Sequence, residues 1–313
     1  MTNITFSIVV PLYNKQNSIV STLQSVLNQT FTNYEIIIVD DGSTDNSMDR
    51  VLEIKDSRIR IIKKTNGGVS SARNRGIMDA HYEYIALLDG DDLWDVHYLE
   101  EQVKMIQDFP KAMMWGINYA EICNGRLLRI VSTGLSNGYR GYVKNYFQMQ
   151  NRVSDLFCSS SVIIKKNVFE QIGYFDERIK FAEDSDMWFR IIATHPVAFY
   201  DKYLVFYQFD AENRAMTKPR LLRSFLPYYV DKYIDYKENT IFYTWVNRWA
   251  ANHIRKYYFE AIKGQREDAC IAVKKLDYSV IPKKYKYLYG LPYVFACLLN
   301  KLDIYYHRLC FSQ

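Results

Sequence analysis

FSIVVPLYNKQNSIVSTLQSVLNQTFTNYEIIIVDDGS, residues 6–43, reads as strand, helix, strand. FSIVV and YEIIIV are short apolar runs without polar alternation, the pattern of strands buried on both faces of a parallel sheet. Between them, Ile19, Val20, Leu23, Val26 and Leu27 fall on one helical face, and Ser21, Gln24, Ser25 and Asn28 fall elsewhere. The alternation continues with a helix over Asn46–Ile54, a strand at IRII, a helix over Ser70–Ala80 and a strand at YIALL. Residues 6–92 therefore predict an α/β fold: a mostly parallel central sheet flanked by helices.

An open parallel sheet binds ligands beyond the carboxyl ends of its strands, so the residues after each apolar run carry the functional information. Here they are Pro-Leu-Tyr-Asn after FSIVV, Asp-Asp-Gly-Ser after YEIIIV, and Asp-Gly-Asp-Asp after YIALL. Gly42, Gly67, Gly68 and Gly90 sit at these turns, where a ligand can approach the backbone closely. Tyr119–Gln150 is irregular and glycine-bearing, and predicts loops with short strands. SSSVIIK (159–165) predicts a strand, and FAEDSDMWFRIIAT predicts a helix beginning near Asp184 with Met187, Trp188 and Ile191 turned inward. Trp188 is thereby expected in the core. Beyond a boundary at Lys218-Pro219 the text becomes helical and rich in tyrosine and lysine.

With 313 residues, 49% of them hydrophobic, the chain can bury a large core. It contains no run of about eighteen apolar residues, and its first residues lack the basic start and cleavage site of a signal peptide, so a cytoplasmic protein is expected. Five scattered cysteines show no metal or disulfide spacing. The net charge of +5 is uneven: residues 218–313 hold 17 basic and 8 acidic residues, against 23 and 27 in the rest. Such a basic section suits either a solvated helical surface or an anionic membrane face. Around residues 284–299, tyrosines and lysines interleave as in segments that lie in a membrane interface, too short and broken to span it.

Asp89, Asp91 and Asp92 supply the hard oxygen ligands that a divalent cation needs. If the segment is extended, alternate residues point the same way, so Asp89 and Asp91 face one ligand while Asp92 points away or caps a helix beginning at Trp94. Asp40 and Asp41 read equally well as caps of an Asp-Gly-Ser turn, and Glu183, Asp184 and Asp186 as carboxylates favoured at a helix start. A dinucleotide-binding dehydrogenase is excluded by the missing G-x-G-x-x-G after the first strand. A phosphoryl-transfer enzyme with an aspartyl nucleophile is excluded by the absence of a carboxylate there.

VPLYN, VDDGSTDNS, GGVSSARNRGI, LLDGDDLW and GYFDERIKFAEDSDMWFR, taken together and in this order, resemble the motif set of family 2 glycosyltransferases. The resemblance implies a GT-A fold and an inverting transfer of sugar from a nucleotide-diphosphate donor, by family habit a UDP-sugar, to a hydroxyl of a glycan acceptor in cell-surface polysaccharide synthesis. It implies a catalytic domain over 1–217, with a donor half over about 1–115 and an acceptor half over about 116–217, and a helical extension over 218–313. Pro11, Tyr13, Asn14 and Asp41 would line the nucleotide pocket, with Asp40 as the alternate to Asp41. Arg73 would reach the nucleotide, Asp89 the ribose beside Gly90, and Asp91 a Mn2+ or Mg2+ ion. Asp184 matches the position of the base that deprotonates the acceptor, with Glu183 beside it to orient that acceptor. Many relatives carry Tyr-Arg-x-His where this chain has Tyr207-Gln208-Phe209-Asp210; either Asp210 replaces that histidine at the metal, or the contact is lost and Arg214 serves the diphosphate. The acceptor is expected to be a saccharide, in some relatives lipid-linked, with peripheral contact at the inner face of the cell membrane and no nucleic-acid partner. Two alternatives stand beside this reading: transfer to a lipid phosphate, and an inactive nucleotide-sugar-binding partner domain.

Overall fold

The computed structural model describes residues 4–149, 156–214, 220–259, 265–291 and 297. The chain divides into two compact units, Met1–Lys218 and Pro219–Gln313.

In the first unit, β1 (Phe6–Leu12), α1 (Ile19–Leu27), β2 (Tyr34–Asp40), α2 (Ser47–Glu53), β3 (Ile59–Lys63), α3 (Val69–Met78) and β4 (Tyr84–Leu87) follow the predicted alternation. All seven residues of β2 and all but Pro11 of β1 are buried, as expected of strands covered on both faces. The short strand β5 (Leu93–Trp94) precedes α4 (Tyr98–Asp108). The helix thus begins at Tyr98 rather than at Trp94: Trp94 pairs in register with Val205, and its indole N–H donates to the Ser160 carbonyl. The irregular stretch contains the long strand β6 (Met114–Cys123), β7 (Arg126–Ile130), β8 (Arg140–Tyr142) and a short helix α5 (Tyr146–Met149). A 3₁₀ turn over Ser159–Ser161 comes before β9 (Val162–Lys165), so the strand expected over 159–165 starts three residues later. Then follow α6 (Lys166–Ile172), α7 (Glu183–Thr194) and β10 (Val197–Gln208). Met187, Trp188 and Ile191 are buried, which places Trp188 in the core.

Among the described residues these strands form one sheet in the order β3-β2-β1-β4-β9-β6-β10-β5, with β7 on β6 and β8 on β10. β3, β2, β1 and β4 are mutually parallel, β6 and β10 are parallel, and β9 runs antiparallel between the two groups. The chain moves outward from β1 to β3 and then returns to the other side of β1 as β4. That reversal is the topological switch point, so a ligand crevice is expected where β1 and β4 end, at Tyr13–Lys15 and Asp89–Asp92.

The second unit holds 3₁₀ turns over Leu222–Ser224 and Leu226–Tyr236, then α8 (Thr240–Phe259), α9 (Arg266–Val273) and α10 (Lys283–Gly290). The interleaved segment at 284–299 is described through Leu291 and at Cys297 alone; the remainder lies outside the described residues.

Helix α3 lies unusually close to the sheet at Gly76, where an added Cβ would meet Val9 Cγ1 at 2.4 Å and Val39 Cγ2 at 3.1 Å. On an exposed helix, Gly→Ala stabilises by about 0.5–1 kcal/mol. Here the sign should reverse, with Gly76→Ala destabilising by about 1–3 kcal/mol through overpacking. Urea unfolding of the two proteins checks this, and a variant as stable as the parent would show that α3 can lift off the sheet freely.

Candidate functional site

The turn after β4 is built by hydrogen bonds rather than by extension. The Asp92 amide donates to the Asp89 carbonyl at 3.1 Å, closing Asp89–Asp92 into a tight turn. This corrects the expectation of an extended D-x-D with alternating side chains. Nor does Asp92 point away or cap a helix; it is buried, and its carboxylate accepts from Ser160 Oγ at 2.5 Å and from the Gln208 amide at 3.3 Å. The same Ser160 hydroxyl accepts from the Asp89 amide at 3.0 Å, so one serine fixes both ends of the turn. Gly90 presses this turn against β1: an added Cβ would stand 3.1 Å from the Pro11 carbonyl.

Arg73, on the sheet side of α3, is only 2% exposed and joins three elements. One guanidinium nitrogen donates to Asp89 Oδ1 at 2.6 Å, another to Glu183 Oε1 at 3.0 Å, and the group lies 5.5 Å from the centre of the Phe175 ring. Burial alone would weaken its hold on the proton, but Asp89 and Glu183 outweigh that and raise its pKa. Glu183 is the first residue of α7, entered through Ala182 at φ +60°, a left-handed conformation that disfavours an alanine by roughly 1–2 kcal/mol. Asp184 follows at half-buried depth. Its carboxylate accepts from the Ser185 amide at 2.7 Å and, among the described residues, makes no ion pair. Asp186, by contrast, is fully buried against Arg190, whose guanidinium also holds the Ile172, Gly173 and Tyr174 carbonyls; its role is structural.

Lys15, which drew no notice as a residue type, donates to Asp91 Oδ2 at 2.5 Å and to the Glu212 carbonyl at 2.5 Å. Asp89, Asp91, Asp92, Glu183 and Asp184 thus share the rim with two cations, Arg73 paired to Asp89 and Glu183 and Lys15 paired to Asp91. The acidic excess shows in the proton affinities of Glu183, Asp184, Asp91 and Asp92. Burial, followed by the charge of Asp184, pushes Glu183 up to about 7 against the pull of Arg73. Burial raises Asp184 and Asp91, opposed by Arg73 and Lys15 respectively. It carries Asp92 well above the carboxylate range, with Asp91 and Asp89 adding to the effect.

On the β2 side the expected nucleotide residues are tied into the loops. Asn14, itself at φ +53°, bonds Thr44 through its side chain and Ser43 through its amide. Asp40 caps its own turn at the Ser43 amide, 2.9 Å. Asp41 is buried, and its two oxygens accept from Lys64 at 2.6 Å and from the Gly67 and Gly68 amides at 2.9 and 2.7 Å. It therefore shapes the Gly67-Gly68 turn that starts α3, with one acceptor position left for a ligand. Pro11 and Tyr13 are half-buried at the mouth.

Asp210, expected as a second metal ligand, lies beside the turn between β6 and β7. Its carboxylate accepts from the Asn124 amide there at 2.8 Å. Among the described residues no three His, Cys, Asp or Glu side chains come together to hold a metal ion. A Mg2+-type ion still fits a site of this kind, since such ions are commonly held by one or two carboxylates with substrate phosphates completing the shell, and the surplus of buried carboxylates favours a cation. Arg214 donates to the Tyr207 hydroxyl at 3.3 Å and stacks on Phe209, with ring centre 4.3 Å away. Ser160 and Lys15 were missed by sequence reasoning; a triple serine opening an apolar strand was the one visible signal.

Known proteins are similar to this chain in sequence and in fold. The family described as Glycosyl transferase family 2 matches residues 7–173. An uncharacterized glycosyltransferase of Rickettsia conorii is 30% identical over 209 residues, 66% of this chain and 34% of that protein. A protein of Escherichia coli named UDP-Glc:alpha-D-GlcNAc-diphosphoundecaprenol beta-1,3-glucosyltransferase WfgD is 38% identical over 123 residues, 39% of this chain and 48% of that one. The chain thus spans a third to a half of the length of these curated relatives. In structure it is similar to S. aureus TarS 1-349 in complex with UDP-GlcNAc, with TM-score 0.70 and 18% identity over 95% of this chain and 89% of that one.

The raised pKa of Glu183 has a signature in stability. The folded chain holds this proton more tightly than the unfolded chain, so the contribution is fully present below the ordinary value of 4.5 and is lost as pH rises through about 7. Melting temperatures of the parent and of Glu183→Gln across that window should diverge, the variant losing less stability on the way up. Parallel curves would mean that Glu183 is ionised throughout.

Proposed function

The chain belongs to glycosyl transferase family 2 and has the GT-A fold, and from that premise we propose that it transfers a sugar from a UDP-sugar to a hydroxyl of a glycan acceptor with inversion. The observation that carries this reading is the Arg73 bridge, which holds the start of α7, and Asp184 with it, to the Asp89–Asp92 turn at the switch point. In this reading Tyr13 stacks on the base, Pro11, Asn14, Asp40 and Asp41 shape its pocket, and Asp89 and Gly90 border the ribose. Asp91 is the protein ligand of a Mn2+ or Mg2+ ion, which when bound neutralises the diphosphate leaving group.

The acceptor oxygen attacks the anomeric carbon from the side opposite the diphosphate, and the bond from that carbon to the phosphate oxygen breaks. The acceptor proton passes to Asp184 Oδ. Two features suit Asp184 to this. Unlike Asp89, Glu183 and Asp91 it makes no ion pair among the described residues, and its pKa is raised, which brings a carboxylate closer to the working pH of a general base. Glu183, bound to Arg73, orients rather than deprotonates.

The named acceptor of WfgD is a sugar on diphosphoundecaprenol, which supports a lipid-linked saccharide as acceptor here and cell-surface polysaccharide as the pathway class. Such an acceptor lies at a membrane. Among the described residues no helix is long and apolar enough to cross one, so peripheral contact through the basic section beyond residue 218, from the cytoplasmic face, is the arrangement proposed.

Asp184→Asn should lower kcat by roughly 10²–10⁴ while leaving UDP affinity essentially unchanged. A mild loss would favour an acceptor that is already ionised, a lipid phosphate. Calorimetric titration of UDP with and without Mn2+ should show metal-enhanced binding that Asp91→Ala abolishes. Absence of binding to any nucleotide diphosphate would overturn the donor reading and leave an inactive partner domain.

A further inference from the structure

Lys15 takes no part in the transfer just described, yet it holds the position of most consequence for Asp91. Its ammonium sits where two hard oxygen donors converge, Asp91 Oδ2 and the Glu212 carbonyl, each at 2.5 Å. Both side chains are largely enclosed, Lys15 at 12% and Asp91 at 16% exposure. A carboxylate and a backbone carbonyl are the ligand types that a divalent cation selects. The ammonium therefore stands in for such an ion.

The second of those oxygens belongs to the strap that follows β10. Gln208 donates through its side chain to the Asp91 carbonyl, and Asn213 donates to the Tyr13 carbonyl at 3.2 Å. Glu212 also sets its carboxylate on the loop after β1, accepting from the Asn17 and Ser18 amides at 2.9 and 3.2 Å and from Ser18 Oγ at 2.6 Å. Residues 208–213 are thus fastened across the donor side of the site, and Lys15 is where strap, loop and Asp91 meet.

Resting on the reading of Asp91 as the metal ligand, we propose that Lys15 is a built-in counter-cation of Asp91 that a divalent ion must displace, and that its departure releases the 208–213 strap from the loop after β1. In the donor-free protein the ammonium keeps Asp91 compensated in an over-acidic rim. An incoming ion takes over that compensation, and the Glu212 carbonyl loses the donor that held it.

The test is Mn2+ affinity without nucleotide, followed by electron paramagnetic resonance, on the parent, Lys15→Met and Lys15→Gln. Removing a competing charge within hydrogen-bond distance should tighten Mn2+ binding at least roughly tenfold. The glutamine variant supplies the comparison if the methionine one does not fold. In the parent, saturating Mn2+ should also speed hydrogen exchange of the Asn17 amide, which Glu212 holds; in the Lys15 variants that exchange should be fast from the outset. Equal or weaker Mn2+ binding by both variants would overturn the proposal, as would Asn17 exchange indifferent to Mn2+. If no protein binds Mn2+ even with UDP present while UDP itself binds, the metal reading of Asp91 falls and this inference with it, leaving the donor reading intact.

Discussion

The rim of this protein depends on one buried guanidinium. Arg73 satisfies a carboxylate from the turn after β4 and another from the first residue of α7, so two segments about a hundred residues apart in sequence are fixed to one helix. Arginine suits the task because its donors diverge from a rigid plane and its charge survives burial, whereas a lysine offers a single point charge that sheds its proton when desolvated. Once Arg73 is in place, the Asp89 turn is clamped from two sides, by the guanidinium and by Ser160. The left-handed Ala182 becomes tolerable because the helix it introduces is already pinned.

Arg73 in turn owes its depth to Gly76. The two are three residues apart on α3 and so share a helical face. With no side chain at Gly76, the helix settles against Val9 and Val39, and Arg73 is carried down to the carboxyl ends of β1 and β4. Fold and site are in this sense one packing problem. The reversal of strand order opens the crevice, and the close approach of α3 decides which side chain reaches its floor.

What was legible in the sequence follows from the range of the interaction. The crossover alternation through residue 87 is local periodicity, and it appeared with ends displaced by a residue or two. Asp40 as a turn cap was readable from Asp-Gly-Ser alone, because the bond it makes spans three residues. The shape of the Asp89–Asp92 segment was not, since nothing nearby says that a hydroxyl at position 160 will draw it into a turn. Trp94 was misassigned for the same reason: its partners, Val205 and the Ser160 carbonyl, lie far along the chain. Lys15 carried no signal because a lysine after a strand is ordinary until the fold sets it against Asp91. The grouping of Asp210 with Asp91 rested on replacing a family histidine, and the bond that carboxylate accepts from the Asn124 amide is set by a turn far from it in sequence.

A protein rarely buries more carboxylates than it can neutralise, because each unpaired one must be desolvated or protonated. Here the surplus is distributed unevenly, and the unevenness sorts roles. Asp89 and Glu183 share Arg73, Asp91 holds Lys15, and Asp92 is buried so deeply, with Asp91 and Asp89 close by, that it favours the protonated form. A cation beside a carboxylate lowers its affinity for a proton, a pull that burial and the charge of Asp184 outweigh at Glu183. Asp184 alone of the five is held only by hydrogen bonds from its neighbour Ser185, near enough to Arg73 to remain ionisable and buried enough to want a proton. The arrangement that stabilises the other four is what leaves Asp184 free to accept one.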